Sequence, residues 1–138
     1  MSKTTASGSE PPYTVLIVED HDSLREALRE WLAAVFPDCR HLDVASGEHA
    51  IALAAEARPE LILMDIELPG INGIDAMREI RLRTPETKFV VLSNHDGANM
   101  RSQMAAEGAL GYVTKRQIHT ELIPLLSEIM ARNRPQED

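Results

Sequence analysis

Short apolar runs alternate with longer amphipathic stretches along the chain. The first run, residues 15–18, ends at an acidic pair, and from Leu24 onward apolar residues recur every three or four positions. An uninterrupted apolar run is typical of a strand buried on both faces, and the second spacing is typical of a helix. The start of the chain therefore predicts a strand and then a helix, which Asp22 or Ser23 can cap and which ends at Pro37.

The same alternation continues to the end of the sequence. Four more strands are predicted at residues 41–45, 61–64, 89–92 and 110–113, each followed by a helical pattern. The last helix has Thr120 as its predicted N-cap, which places Pro124 in the first turn, where proline is tolerated. Five strands alternating with five helices predict an α/β fold: a doubly wound, three-layer domain with a parallel sheet and right-handed crossovers.

The run at residues 61–64 leads directly into Asp65, with Pro59 before it and Pro69-Gly70 after it. These breakers and the unbroken apolar run predict a central strand with Asp65 at its carboxyl end. In open α/β sheets that edge is where ligands bind. An aspartate before a turn is equally compatible with a capping role, so this stretch alone leaves both interpretations open.

Polar residues follow four of the predicted strands, and in a parallel sheet they would gather at one edge. They are Glu19 and Asp20 after strand 1, Asp65 after strand 3, Ser93 after strand 4 and Lys115 after strand 5. Clustered carboxylates repel one another, and a hard divalent cation such as Mg²⁺ relieves that repulsion. Lys115 and Ser93 offer a charge and a hydroxyl to a phosphoryl oxygen, while a carboxylate such as Asp65 can act as a nucleophile. The set favours phosphoryl-transfer chemistry.

Composition and charge exclude several classes of protein. The 138 residues, 43% apolar, suit one domain, and the net charge of −8 argues against nucleic-acid binding. The lone Cys39 excludes an internal disulfide and fits a reducing cytoplasm, which is the expected location. No apolar run approaches the roughly 20 residues that span a bilayer. The five histidines lack metal-ligand spacing, so we expect them to be surface or local polar groups.

Taken together, the motifs at the strand ends resemble the receiver domain of two-component response regulators, particularly the NarL/FixJ-like branch. The matching segments are residues 15–21 (VLIVEDH), 64–70 (MDIELPG), 92–93 (LS) and 108–115 (GALGYVTK). The resemblance covers roughly residues 13–133 and implies a flavodoxin-like fold with strand order 2-1-3-4-5. Residues 1–12 are then a disordered lead-in and residues 134–138 a flexible tail.

The resemblance also implies roles for individual residues. Asp65 would accept phosphate from a phosphohistidine of a sensor kinase or phosphotransfer protein. Mg²⁺ would be held by Glu19, Asp20, Asp65 and the main-chain carbonyl of Glu67. The protein would be a phosphorylation-dependent signalling switch and not an enzyme, apart from its own phosphorylation and autophosphatase activity.

The switch residues implied by the same resemblance are Ser93, Lys115 and Tyr112. Ser93 would move toward the phosphoryl group, Lys115 would contact it, and the rotamer of Tyr112 would report the move. The alternative for Tyr112, on its short strand, is an ordinary core residue. The expected surface for a downstream partner is formed by the fourth helix, fifth strand and fifth helix, and the same surface would serve a phosphorylation-dependent homodimer.

Several positions depart from the common receiver pattern. Glu19 is one methylene longer than the usual aspartate, and Arg116 replaces a common proline. Glu67 puts a carboxylate near the expected phosphoryl group, where it can orient water or repel phosphate. Asn94 and His95 follow the switch hydroxyl and can narrow access for small donors.

Two rival functions remain at this point. A receiver-like protein-binding module that works without phosphate is disfavoured because Asp20, Asp65, Ser93 and Lys115 are all present. A haloacid dehalogenase-like phosphatase would need a second aspartate where Glu67 stands, and a substrate cap. Because the sequence stops after its fifth predicted helix, we expect either a stand-alone receiver or the N-terminal part of a DNA-binding regulator.

Overall fold

Strands and helices alternate strictly along the part of the chain that the structure, a computed structural model, describes: residues 12–95 and 97–133. The predicted tail, and all of the predicted lead-in except Pro12, lie outside the described residues. The elements are β1 (Thr14–Val18), α1 (Asp22–Val35), β2 (Arg40–Val44), α2 (Gly47–Ala57), β3 (Leu61–Asp65), α3 (Gly73–Arg83), β4 (Lys88–Ser93), α4 (Ala98–Ala106), β5 (Gly111–Thr114), a 3₁₀ turn (Lys115–Gln117) and α5 (Ile118–Asn133).

The five strands form one parallel sheet in the order β2-β1-β3-β4-β5. This is the predicted order, and the fold prediction is confirmed. Strand β3 lies in the centre, paired with β1 on one side and β4 on the other, and all five of its residues are buried. Asp65 therefore sits at the carboxyl end of the central strand.

Two apolar clusters cover the two faces of the sheet. Successive residues of a strand contribute to opposite clusters: Leu16 packs with α2, α3 and α4, whereas Ile17 packs with α1 and α5. Because both faces are covered, the inner strands β1, β3 and β4 carry continuous apolar runs, whereas the edge strand β2 (RHLDV) alternates and is only partly buried. No helix in the two described ranges combines the length and the apolar content needed to cross a membrane.

The start of α1 differs from the prediction. His21 occupies the N-cap position and makes no side-chain cap hydrogen bond, so neither Asp22 nor Ser23 caps the helix. The side chain of Arg25 organises this region, because its Nη1 donates to the carbonyl of Glu19 at 2.9 Å and its Nη2 to Asp22 Oδ1 at 2.8 Å. The chain after β1 is thus fixed by an arginine from inside the helix.

Helix α5 begins at Ile118, two residues before the predicted cap Thr120. Pro124 consequently lies inside the helix and not in its first turn, where the missing N–H would cost nothing. The 3₁₀ turn leads directly into the helix, and Ile118 is buried in the cluster between α1 and α5. Burial of Ile118 provides a physical reason for the earlier start.

Candidate functional site

The residues predicted to gather at the carboxyl edge of the sheet do so. Asp65 pairs with Leu92 across β3 and β4, so Ser93 lies one residue further along the neighbouring strand. Glu19 directly follows β1 on the other side of β3, and Lys115 begins the 3₁₀ turn after β5. The ends of four strands thus converge around one carboxylate.

Lys115 bridges two buried carboxylates. Its Nζ lies 3.0 Å from Glu19 Oε1 and 3.1 Å from Asp65 Oδ2. The side chains of Glu19 and Asp65 are 0% and 1% exposed, and that of Lys115 is 12% exposed. Asp65 Oδ1 accepts a further hydrogen bond, at 2.9 Å, from the backbone N–H of Glu67. Both oxygens of the Asp65 carboxylate are therefore held in a defined orientation.

Glu19, Asp65 and Lys115 shift one another's pKa values. Burial raises the pKa of Asp65, and the Glu19 carboxylate adds to this, so the pKa stays above its ordinary value despite the Glu67 N–H and Lys115. Burial also opposes ionisation of Glu19, but the His21 backbone N–H and Lys115 outweigh it and lower the pKa. For Lys115, the two carboxylates outweigh burial and raise the pKa. At neutral pH, two negative charges share one positive charge.

This excess negative charge leads to a prediction for stability. Since the pKa of Asp65 is raised in the fold, its ionised form destabilises the protein at neutral pH, and that cost disappears as the pH falls below the pKa. Without added Mg²⁺, Asp65→Asn should increase the free energy of unfolding by about 1 kcal/mol at pH 7 and much less near pH 4. Denaturant unfolding at both pH values measures it. Asp38→Asn, in the exposed turn after α1, is the matched control, and an equal effect in both variants would contradict the prediction.

Next to the ion pair between Lys115 and Asp65 lies an acidic cluster formed by Glu19, Asp20 and His21. One ligand atom from each residue lies within 4.8 Å of the others. His21 Nδ1 is 3.1 Å from Glu19 Oε2 and 3.8 Å from Asp20 Oδ1, although the His21 side chain is 69% exposed. Sequence reasoning placed the two acids here and missed the histidine. Its position directly after the acidic pair was the available signal.

The donor set at this edge fits a hard divalent cation. Asp20 Oδ1 is shielded from solvent and accepts no hydrogen bond from any residue in the described ranges, although His21 Nδ1 lies 3.8 Å away. Asp65 and the backbone of Glu67 lie against each other through the hydrogen bond at 2.9 Å. Carboxylate and carbonyl oxygens are the ligands that Mg²⁺ takes in proteins. The residues present thus suit the ion that the sequence predicts.

A second group of contacts ties Tyr112 to the loop between β4 and α4. Tyr112 is buried in the cluster facing α4, and its hydroxyl donates to the carbonyl of His95 at 2.7 Å. The N–H of His95 in turn donates to Ser93 Oγ at 3.0 Å. The guanidinium of Arg101 lies 4.9 Å from the centre of the Tyr112 ring. Tyr112 is therefore a core residue that also contacts His95 in the loop after β4, and its contact with Arg101 was not predicted from the sequence.

The side chain of Glu67 connects the loops that follow β3 and β4. Its Oε1 accepts the backbone N–H of Asn94 at 3.1 Å, and its Oε2 lies 2.8 Å from His95 Nε2. The sequence predicted a carboxylate near the acceptor but not these partners. Asn94 lies 27 positions further along the chain, which is beyond the reach of spacing arguments.

Comparison with known proteins identifies the class that this fold and site define. The sequence matches the response regulator receiver domain family over residues 15–127, and the chain belongs to that family. Its relatives include regulators of the predicted NarL-type branch. Response regulator GacA of Pseudomonas aeruginosa is 32% identical over 124 residues, 87% of this chain and 56% of GacA. The nitrate/nitrite response regulator NarL of Escherichia coli is 32% identical over 126 residues, 89% of this chain and 57% of NarL.

Solved structures agree with the family assignment. A two-component response regulator of the LuxR family from Aurantimonas sp. SI85-9A1 superposes with a TM-score of 0.80 at 29% identity, covering 92% of this chain and 90% of that one. The response regulator domain of Thermotoga maritima CheB gives a TM-score of 0.76 at 29% identity, with coverages of 90% and 99%. The present chain spans a little over half the length of GacA and NarL.

Proposed function

We propose that the chain is a phosphorylation-dependent switch whose acceptor is Asp65. The observation that carries this proposal is the Asp65 carboxylate, 1% exposed at the end of β3, with one oxygen on Lys115 and the other on the Glu67 N–H. A buried carboxylate held in this way is poorly solvated and correctly oriented, which suits a nucleophile. The phosphoryl donor is a phosphohistidine of a sensor kinase or of a phosphotransfer protein.

In the transfer step an oxygen of Asp65 forms the new P–O bond. The P–N bond of the donor breaks, and the electron pair leaves with the donor's imidazole, which takes up a proton. Lys115 balances the charge of Asp65 before transfer and can follow the phosphoryl oxygens afterwards, because its Nζ lies within 3.1 Å of both Glu19 and Asp65. The product is an acyl phosphate on the protein, and its hydrolysis is the only turnover proposed.

The residues that would hold Mg²⁺ are Glu19, Asp20, Asp65 and the main-chain carbonyl of Glu67. Glu19 adds its negative charge to the site, with one oxygen on Lys115 and the other on the His21 N–H. The cation supplies positive charge that offsets the charge of the acceptor and of the transferring group. Asp20 Oδ1, which accepts no hydrogen bond from the described residues, supports this assignment.

Phosphorylation would be communicated through the loop after β4. A dianion on Asp65 attracts the Ser93 hydroxyl, which at present accepts the N–H of His95. Tyr112 donates to the carbonyl of the same His95, so a shift of this loop changes the packing of Tyr112 under α4. The two packings need to differ by only a few kcal/mol, about what a switch of this kind supplies.

The output is proposed to pass through the surface of α4, β5 and α5, to a partner protein or to a second copy after phosphorylation. With a net charge of −8, this chain is not expected to contact DNA itself. Among its relatives is the transcriptional regulatory protein DegU of Brevibacillus brevis, which is 36% identical over 110 residues, a match that covers 46% of DegU. Action in the cytoplasm, either alone or within a longer regulator, fits these features.

The direct test is intact-mass measurement after incubation with acetyl phosphate and Mg²⁺. The wild type should gain one phosphate only when Mg²⁺ is present, and Asp65→Asn should gain none. Asp75→Asn, on the exposed face of α3, should behave like the wild type. Because small donors can be excluded by the loops, beryllofluoride binding is measured in parallel. A wild type that neither gains phosphate nor binds beryllofluoride would refute the proposal.

A further inference from the structure

The carboxylate of Glu67 is an anion placed between the two loops that border the acceptor. It accepts the backbone N–H of Asn94 at 3.1 Å and contacts His95 Nε2 at 2.8 Å. The backbone N–H of the same Glu67 donates to Asp65 Oδ1, so this side chain starts directly beside the acceptor. It then reaches from the end of β3 to the end of β4.

A phosphoryl group on Asp65 would extend into the same region. Asp65 lies opposite Leu92, and the next residues of that chain are Ser93 and Asn94. The Asn94 N–H is therefore a backbone donor at the adjoining strand end, where the added anion needs hydrogen bonds. In the structure this N–H already donates a hydrogen bond to the Glu67 carboxylate.

We infer that Glu67 competes with the phosphoryl group on Asp65 for the Asn94 N–H and is displaced when that group is added. Glu67 is thus a positioning residue: before phosphorylation its carboxylate holds Asn94 and His95, the two residues that follow β4. The inference rests on the proposed function of Asp65 and adds the group that opposes the phosphorylated state. Two anions that share one donor repel each other, and each weakens the other's hydrogen bond.

This competition predicts that removing the Glu67 charge strengthens anion binding at Asp65. At saturating Mg²⁺, Glu67→Gln should bind beryllofluoride about fivefold to tenfold more tightly than the wild type, as expected for one charge about 4 Å away that is screened as in bulk water. Glu67→Ala should bind at least as tightly as Glu67→Gln, because it also removes the competing acceptor. The half-life of the acyl phosphate, followed by intact mass, should lengthen in the same order.

Two controls separate competition from a structural role. Glu86→Gln makes the same charge change in the exposed segment before β4, where Glu86 pairs with Arg58, and should leave the affinity unchanged. The difference between the wild type and Glu67→Gln should narrow as salt rises, because added ions screen the repulsion. In addition, the amide signal of Asn94 in an ¹⁵N spectrum should move when Glu67 is replaced by alanine and when beryllofluoride binds the wild type.

The outcomes distinguish the inference from the function beneath it. A wild type that binds beryllofluoride, with Glu67→Gln and Glu67→Ala equal to it or weaker, overturns the competition and leaves Asp65 as the acceptor. A wild type without adduct and without beryllofluoride binding overturns both. If Glu67→Ala fails to fold, the comparison rests on Glu67→Gln, which keeps the size of the side chain and can accept the same N–H.

Discussion

Replacing Lys115 with methionine should lower the free energy of unfolding by about 3 kcal/mol at neutral pH, because it leaves two buried carboxylates without their shared cation. Nζ lies within 3.1 Å of both Glu19 and Asp65, and neither carboxylate is more than 1% exposed. Methionine keeps much of the apolar stem of lysine, so the loss is mainly electrostatic. Denaturant unfolding in the absence of Mg²⁺ measures it.

The pH dependence identifies the cause. Lys115 lowers the pKa of both Glu19 and Asp65, so both values should rise in the variant. A carboxyl whose pKa is raised in the fold stabilises the protein below that pKa and loses this contribution as the pH rises through it. The deficit of Lys115→Met should therefore shrink in acid. Lys88→Met, at the opposite edge of the sheet, is the control. If the loss in the free energy of unfolding of Lys115→Met did not change with pH, the electrostatic explanation would be contradicted.

Gly73→Ala should lower the free energy of unfolding about as much as Lys115→Met does, but for a steric reason. A Cβ at this position would lie 2.4 Å from the carbonyl oxygen of Asp65 and 2.5 Å from the Cα of Ile66. Both atoms belong to the backbone, so no side chain can rotate away and the end of β3 must shift. We expect a loss of about 3 kcal/mol, at the upper end for an overpacked core. Beryllofluoride affinity should fall as well, because the acceptor moves with its strand.

The matched control for this substitution is Gly97→Ala. A Cβ on Gly97 meets no atom of the described residues within 4 Å, and its φ of −98° is open to any residue. As Gly97 is the N-cap of α4, alanine should cost less than about 1 kcal/mol. Thermal unfolding and beryllofluoride titration of both variants test the difference. Equal losses at the two glycines would show that close approach at Gly73 is not the cause.

The sequence predicted the sheet and the convergence of Asp65, Glu19 and Lys115 because both depend on chain order. Apolar runs locate strands buried on two faces, and parallel strands end at one edge. The start of α5 was predicted wrongly because Thr120 and Pro124 are strong local signals, whereas the burial of Ile118 in the cluster that α1, α5 and the sheet share is a tertiary effect. At this position the packing of Ile118 outweighed the local helix-capping signals.

Contacts between loops were beyond prediction for a different reason. Glu67 meets Asn94 and His95 only after β3 and β4 have paired, and no local spacing encodes that meeting. His21, by contrast, contacts Glu19 only two positions away in the chain, and its place directly after the acidic pair was a signal in the sequence. The sequence identified the residue types at the site, while folding determined which of them touch.

Helix α4 is attached to the sheet far more lightly than the strand that carries the acceptor. Of its nine residues only Met104 is buried, whereas all five residues of β3 are. Local opening of α4 exposes little apolar surface and costs only part of the global free energy of unfolding, while β3 opens only with the whole domain. A perturbation of a few kcal/mol therefore leaves Asp65 in place and is still large enough to change how much of the time α4 is docked.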